Sequence, residues 1–242
     1  MRSLPDAIVL CGGAGTRLRS VTGDAPKSMA TVAGRPFLEL LLRQLRRYGF
    51  GRAIMAVGYR KEVIREHFGA EALGVKIAYS EESAPLGTGG AVQNAAGLVE
   101  SDAALIMNGD SYTDVDLGAF VEEHRRLDAD VSMVVVPADG RVDCGSVFAE
   151  NGRLTGFAEK ESGSGAPYIN AGIYLISKAM LGTIAAGRQV SLERELLPEW
   201  VREKRAMRAF VAQSECVDIG TPERFAHAQE ALAEAERNAA KV

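Results

Sequence analysis

Short runs rich in Val, Ile and Ala recur along this chain, and between them lie stretches whose apolar residues fall at helical spacing. A chain patterned in this way has to cover both faces of each short run, and a sheet with helices on either side does so. Residues 6–11 read as a strand, 36–48 as a helix, 52–57 as a strand, 59–68 as a helix and 75–79 as a strand. The alternation continues with a helix over 88–97, strands over 103–107 and 131–136, and a helix between those two over 116–127. In the first helix Pro36 suits the opening position, Phe37, Leu38, Leu41, Leu42 and Leu45 share one broad face, and Gly49 terminates it.

After Pro137 the pattern changes. Residues 146–150 and 153–159 flank Asn151-Gly152, a dipeptide that supplies the positive φ angles of a hairpin turn. A Gly- and Ser-rich loop over 161–167, a strand over 168–176 and a helix over 191–203 follow. Thr221-Pro222-Glu223 then combines an N-cap, a first-turn proline and an acid matched to the helix dipole, opening a last helix with Phe225, Ala228, Leu232 and Ala235 on one side. The expected fold class is α/β, a Rossmann-like mixed, mainly parallel sheet flanked by helices and interrupted by an antiparallel hairpin excursion. With 242 residues, 47% of them hydrophobic, and no repeat or linker, residues 1–242 are expected to form a single domain.

Composition narrows the function. A net charge of −4 and a pI near 5.6 disfavour nucleic acid as a partner, so an anionic ligand has to be held by a few local cations and backbone amides. The longest apolar runs, 7–11 and 103–107, are too short to span a bilayer, and no basic segment leads into an apolar one at the start, so no membrane partner and a cytoplasmic location are expected. Cys11, Cys144 and Cys216 lack metal-ligand or disulfide spacing and read as buried thiols. His67, His124 and His227 show no ligand spacing and are assigned no role.

The strongest local signal is Leu10-Cys11-Gly12-Gly13-Ala14-Gly15-Thr16-Arg17-Leu18, followed by Pro26-Lys27. A strand that feeds such a loop lets backbone N–H groups approach phosphate oxygens, and Arg17 and Lys27 offset charge that a neutral loop could not hold. The third glycine of GxGxxG is missing and no GK[ST] follows, which argues against dehydrogenase and P-loop chemistry. A second glycine cluster, Pro85-Leu86-Gly87-Thr88-Gly89-Gly90, opens a helix. It suits either the close approach of a flat ring or a helix start with Thr88 as cap. Asp110, in Asn108-Gly109-Asp110-Ser111, lies just past an apolar strand, where open α/β sheets form ligand crevices, and is the first candidate metal ligand; Asp218 ends another strand before the capped helix. Taken singly, each aspartate is equally an ordinary turn or helix-dipole residue.

The loop resembles the GGxGTRLxxxTxxxPK signature of the sugar-1-phosphate nucleotidyltransferases, with Thr22 in its place and Ser28 where that family usually carries a second proline. The resemblance implies the nucleotidyltransferase fold, Mg²⁺ as cofactor, and an NTP and a sugar 1-phosphate as partners. It implies that Leu10, Gly12, Gly13, Gly15, Thr16, Arg17, Lys27, Gly87, Thr88 and Asp110 bind the nucleotide, with Arg17, Lys27 and Asp110 catalytic. It implies that Asp110 and Asp218 hold the metal, and that Gly109, Glu159, Lys160, Asn170 and Gly172 receive the sugar phosphate, Gly172 leaving room for the ring. The stretches GTRLRSVTGDAPKSMATVAGRPFLELLL, LGTGGAVQNA and NGDSYTDVDL most resemble short bacterial D-glycero-D-manno-heptose 1-phosphate guanylyltransferases, which points to GTP and a heptose 1-phosphate. A mannose-1-phosphate guanylyltransferase, a uridylyl- or thymidylyltransferase, and a catalytically silent nucleotide-sugar sensor are the alternatives. The chain is compatible with a homo-oligomer and is expected to have no second catalytic domain.

Overall fold

The computed structural model describes residues 3–141, 145–158 and 165–239. Ten strands form one sheet, in the order Ser146–Glu150, Arg153–Ala158, Met207–Val211, Val131–Pro137, Tyr168–Ser177, Ala103–Asn108, Asp6–Leu10, Arg52–Val57, Val75–Glu81 and Glu71–Ala72. Asp6–Leu10 pairs in parallel with both Arg52–Val57 and Ala103–Asn108, and Val75–Glu81 extends the same direction outward. Beyond Ala103–Asn108, Tyr168–Ser177 is inserted antiparallel; Val131–Pro137 on its far side, and Met207–Val211 parallel to that, return to the first direction. The sheet is therefore mixed, with most of its strands running in one direction, as the alternating pattern predicts.

Strand periodicity divides the apolar residues between two cores. Ala7, Val9, Met55, Val57, Leu105 and Met107 face the helices Phe37–Arg47, Leu117–Arg126 and Pro222–Ala239, whose Leu41, Phe120 and Ala228 are fully buried. Ile8, Ile54, Ala56, Ala104 and Ile106 face the opposite way, onto the helix Gly87–Ala96 and Trp200. Covering on both faces explains why these strands read as continuous apolar runs rather than alternating ones.

Two helix boundaries have plain local causes. Phe37–Arg47 starts directly after Pro36 and ends before Gly49, at φ +81°. Leu117–Arg126 starts after Asp116, whose side chain accepts the Ala119 N–H at 2.9 Å. The hairpin turns on Asn151 and Gly152, both with positive φ (49° and 73°). Its last expected residue, Glu159, with Cys144 and loop residues 161–164, lies outside the described residues. Cys11 and Cys216 are buried thiols, as expected.

Two features differ from the sequence reading. Met207–Val211 is a full strand that periodicity did not single out. The stretch expected as one helix over 191–203 is instead a wide π-type turn, Leu192–Leu196, followed by the helix Leu197–Arg202. Pro198 accounts for the break, because it lacks an N–H and its ring crowds the carbonyl four residues earlier, and a widened turn relieves both.

Candidate active site

The parallel strands Asp6–Leu10, Arg52–Val57 and Ala103–Asn108 open at their C-terminal ends into a cleft of about 740 Å³. It is lined by Leu10, Gly12, Gly13, Gly15, Thr16, Arg17, Lys27, Gly87, Thr88, Gly109 and Asp110, and so brings together three sequence motifs. The glycine-rich loop is laid backbone against backbone. Tyr59 N–H donates to the Gly12 carbonyl at 3.0 Å, and a Cβ on Gly58 would come within 2.9 Å of that same oxygen. Gly15 takes the left-handed conformation at φ +58°, and a Cβ there would lie 2.4 Å from Lys27 Cβ. Gly13 has open space beside it on the cleft side of the loop.

Lys27 Nζ donates to Asp110 Oδ2 at 2.5 Å. Asp110 is positioned by Gly109, whose N–H donates to the Leu10 carbonyl at 2.9 Å and whose missing side chain leaves that oxygen only 2.5 Å from an ideal Cβ. The chain then enters Ser111–Thr113, which pairs antiparallel with Cys216–Asp218 and sets Asp218 opposite Ser111; Ile219 N–H donates to the Asp110 carbonyl at 3.0 Å. Pairing two short strands thus carries the two aspartates to one end of the sheet.

Asp218 accepts the Gly220 N–H at 2.8 Å and Arg224 Nη1 at 3.1 and 3.0 Å, with Arg141 at 3.6 Å. Burial holds its carboxyl above the usual aspartate range; the Gly220 N–H opposes this and the nearby Asp110 charge adds to it. Arg224 is shifted down by burial and by the neighbouring charges of Arg141 and Arg17. Arg17, Lys27, Arg141 and Arg224 therefore gather around two carboxylates, a cluster suited to several phosphate groups.

The second glycine cluster differs from the sequence reading in one detail. Thr88 lies inside the helix Gly87–Ala96 and does not cap it; the N-cap is Leu86, with no side-chain bond. Thr88 Oγ1 instead donates to Glu193 Oε2 at 2.5 Å and accepts the Leu192 N–H at 2.9 Å. Gly87, at φ +72°, sits where a Cβ would meet the Val190 carbonyl at 2.6 Å. Glu82 lines the same wall. Its Oε2 accepts the Leu86 N–H at 3.2 Å, and burial pushes its carboxyl up while that bond pulls it down.

Of the residues expected to receive the sugar phosphate, Asn170 donates through Nδ2 to the Tyr174 hydroxyl at 2.7 Å and accepts the Gly172 N–H at 2.9 Å. Gly172 does not simply leave space for a ligand. Its φ is +72°, and an added Cβ would lie 2.8 Å from both Asn108 Nδ2 and Ser111 Oγ, so packing against the protein's own side chains requires glycine. Glu159 and Lys160 lie outside the described residues. Asn170, Gly172 and Asp218 do not line the cleft themselves; Gly172 borders it through Asn108 and Asp218 through Gly220.

The sequence model described as Nucleotidyl transferase matches residues 6–235. The chain belongs to the nucleotidyl transferase family. A D-glycero-alpha-D-manno-heptose 1-phosphate guanylyltransferase of Aneurinibacillus thermoaerophilus is 34% identical over 94% of this transferase and 98% of its own length. A mannose-1-phosphate guanylyltransferase of Mycobacterium tuberculosis is 39% identical over 91% of this chain, which spans only 62% of that longer protein. The crystal structure of HddC from Yersinia pseudotuberculosis complexed with GMP-PN superposes with a TM-score of 0.82 at 32% identity, covering 95% of this chain and all of that one.

Among the described residues of the transferase, no group of three or more His, Cys, Asp or Glu gathers as a metal cage. Two carboxylates beside the glycine-rich loop match the hard-oxygen, partly substrate-supplied coordination of a small divalent cation, so the donor set fits the metal that the family resemblance implies. Sequence reasoning missed Glu82, Arg141, Glu193 and Arg224. Glu82 had a signal, an acid three residues before Pro85-Leu86-Gly87. The others reach the site only through tertiary pairing. No described helix is long and apolar enough to cross a membrane.

Proposed function

We propose that this transferase joins GMP from GTP to a manno-configured sugar 1-phosphate, with D-glycero-D-manno-heptose 1-phosphate the preferred acceptor, releasing pyrophosphate and forming a GDP-sugar. The observation that carries the choice of base is Glu82. The Leu86 N–H takes only one acceptor position of this half-buried carboxylate, which leaves its remaining positions to a ligand's donor edge. Guanine presents adjacent N1–H and N2–H donors that a carboxylate accepts together. Uracil and thymine offer one such N–H, and the adenine edge opposes an acceptor at N1. The choice of sugar rests on the full-length likeness to the Aneurinibacillus heptose enzyme, with mannose 1-phosphate as the alternative favoured by the mycobacterial relative.

The sugar phosphate is already an anionic nucleophile, so the protein's task is alignment and charge stabilisation rather than proton removal. One of its oxygens attacks the α-phosphorus in line, the bond from that phosphorus to the bridging oxygen breaks, and pyrophosphate leaves with the electron pair. The backbone N–H groups of 12–16 hold the departing phosphates, and Arg17 and Lys27 balance the charge that develops on the α-phosphoryl oxygens. Asp110 and Asp218 would hold Mg²⁺, which when bound neutralises phosphate charge. Asn170, with Glu159 and Lys160, orients the acceptor.

Pyrophosphate release measured with Mg²⁺, crossing GTP, UTP, dTTP, CTP and ATP against heptose, mannose, glucose and N-acetylated sugar 1-phosphates, tests this reading. Preference for GTP with a manno-configured acceptor is the expected result. Preference for another pair overturns the choice of base and sugar, and nucleotide binding without release from any pair favours a silent nucleotide-sugar sensor.

A further inference from the structure

The glycines of Gly87-Thr88-Gly89-Gly90 answer first to the protein's own backbone. Segment 188–192 lies directly against them. A Cβ on Gly87 would come within 2.6 Å of the Val190 carbonyl oxygen, one on Gly89 within 3.1 Å of the same oxygen, and one on Gly90 within 2.7 Å of the Arg188 carbonyl oxygen and 2.8 Å of Leu86 Cβ. Hydrogen bonds fill the contact that these bare positions allow. Val190 N–H donates to the Leu86 carbonyl at 2.9 Å, the Val190 carbonyl accepts the Gly89 and Gly90 N–H groups at 3.0 and 3.1 Å, and Leu192 N–H donates to Thr88 Oγ1 at 2.9 Å. The opening N–H groups of a helix have no partners within it, and the N-cap Leu86 offers no side-chain bond, so segment 188–192 supplies what a capping side chain would. Among the described residues, none of 188–192 lines the cleft.

The contact reaches the cleft through Leu86. Val190 holds the Leu86 carbonyl, and the Leu86 N–H donates to Glu82 Oε2 at 3.2 Å. The backbone of Glu82 is fixed separately, its N–H donating to the Val57 carbonyl of the neighbouring strand at 2.9 Å. With the main chain anchored to the sheet, the direction in which the carboxylate points depends on where the Leu86 N–H stands.

We propose that segment 188–192 is a strap that sets base recognition: by docking on Gly90 and Leu86 it fixes the Leu86 N–H, which aims the Glu82 carboxylate into the cleft. Gly90 and Val190 are then positioning residues for a base that they do not touch. The proposal rests on the reading above that Glu82 meets the guanine edge.

Gly90→Ala is the informative change, because strap and helix pull its effect in opposite directions. Alanine is favoured over glycine inside a helix, and Gly90 has no positive φ, so the helix alone would gain from it. With the Arg188 carbonyl 2.7 Å and Leu86 Cβ 2.8 Å from the new methyl, both the strap and Leu86 have to shift. Gly97→Ala is the control at the other end of the same helix, with φ −64° and nothing within 4 Å of its Cβ position.

The test measures kcat/KM for GTP and for ITP by pyrophosphate release, with saturating mannose 1-phosphate, in wild type, G90A, G97A, E82Q and the G90A/E82Q double variant. G90A should lower the GTP/ITP ratio about threefold to tenfold, the worth of one hydrogen bond, while the KM for the sugar phosphate stays within about twofold. G97A should leave the ratio unchanged. In the E82Q background G90A should move the ratio by less than about twofold, because the group that the strap aims is gone. A merely structural contact predicts that GTP and ITP lose together, leaving the ratio where it was, or that the two losses in ratio multiply in the double variant; either outcome overturns the proposal. If G90A does not fold, T88V takes its place, since it is isosteric and removes the acceptor of the Leu192 N–H: the ratio should fall about threefold and T88S should restore it, and an unmoved ratio in folded T88V refutes the strap. E82Q separates the proposal from the reading beneath it. If E82Q keeps the wild-type ratio, the base reading and the proposal fail together; if E82Q loses it and G90A does not, the proposal alone fails.

Discussion

Gly15→Ala separates what the glycine-rich loop does for folding from what it does for chemistry. Gly15 sits at φ +58°, and an alanine Cβ would lie 2.4 Å from Lys27 Cβ and 3.2 Å from its Cγ, far inside carbon–carbon contact distance. The left-handed backbone costs an L-residue about 1–2 kcal/mol, and overpacking of this kind adds about 1–3 kcal/mol. If the loop stays in place, the sum is about 2–5 kcal/mol, a fall in Tm of roughly 5–15 °C for a chain of this size. The loop can escape part of this only by moving Lys27, and Lys27 cannot move without lengthening its 2.5 Å contact with Asp110. The expected outcome is therefore a lower Tm together with a fall in kcat of about a hundredfold, the range seen when one charge-stabilising group is misplaced. Gly13→Ala is the matched comparison. With nothing within 4 Å of its Cβ position and no positive φ, it should leave Tm within about 1–2 °C and act on KM for the nucleotide, since surface substitutions free of strain stay within about 0.5 kcal/mol. Differential scanning fluorimetry and pyrophosphate release on the two proteins decide the matter. A Gly15→Ala protein with wild-type Tm and wild-type kcat would show that neither the φ angle nor the Lys27 contact constrains this position.

Three further outcomes follow from the same geometry. Glu82→Gln should reduce discrimination of GTP over ITP, which lacks the N2 amine, by roughly tenfold to a hundredfold, the worth of one bidentate base contact; unchanged GTP/ITP ratios would mean that the base is read elsewhere. Asp110→Asn and Asp218→Asn should each lower Mg²⁺-dependent turnover by at least about a hundredfold and weaken Mg²⁺ binding measured by calorimetry on the nucleotide complex; normal metal-dependent turnover by either folded protein refutes the assignment. His124 is buried, with its Nδ1 2.8 Å from Ser132 Oγ, and burial followed by the Arg125 charge shifts it below the usual histidine value. The unfolded chain then binds the proton more readily, so stability is fully present above about pH 6.5 and falls as the pH drops from there through the lower folded value. Melting curves across pH 7.5 to 5 (roughly the histidine range) should show this slope in the wild type and a shallower one in His124→Gln.

The sequence alone determined the elements whose physics is local. Continuous apolar runs announced strands covered on both faces, Pro36 and Gly49 marked the two ends of a helix, Asn151-Gly152 marked a hairpin turn, and Leu10 to Arg17 announced a glycine-rich loop at a strand end, because each depends on backbone conformation or on residues a few positions apart. Even there, Pro198 split an expected helix through a steric effect that periodicity does not register. What only the tertiary structure decided is which distant groups meet. Strand order places Lys27 on Asp110, the pairing of Ser111–Thr113 with Cys216–Asp218 brings the second aspartate alongside, and the wide turn at Leu192–Leu196 carries Glu193 to Thr88 and Tyr174. Nothing in the neighbourhood of Glu193 or Arg224 along the chain distinguishes them from solvated helix charges. Their partners lie on other elements, and only the packing of those elements against the sheet supplies the desolvation and hydrogen-bond geometry that give such groups a role.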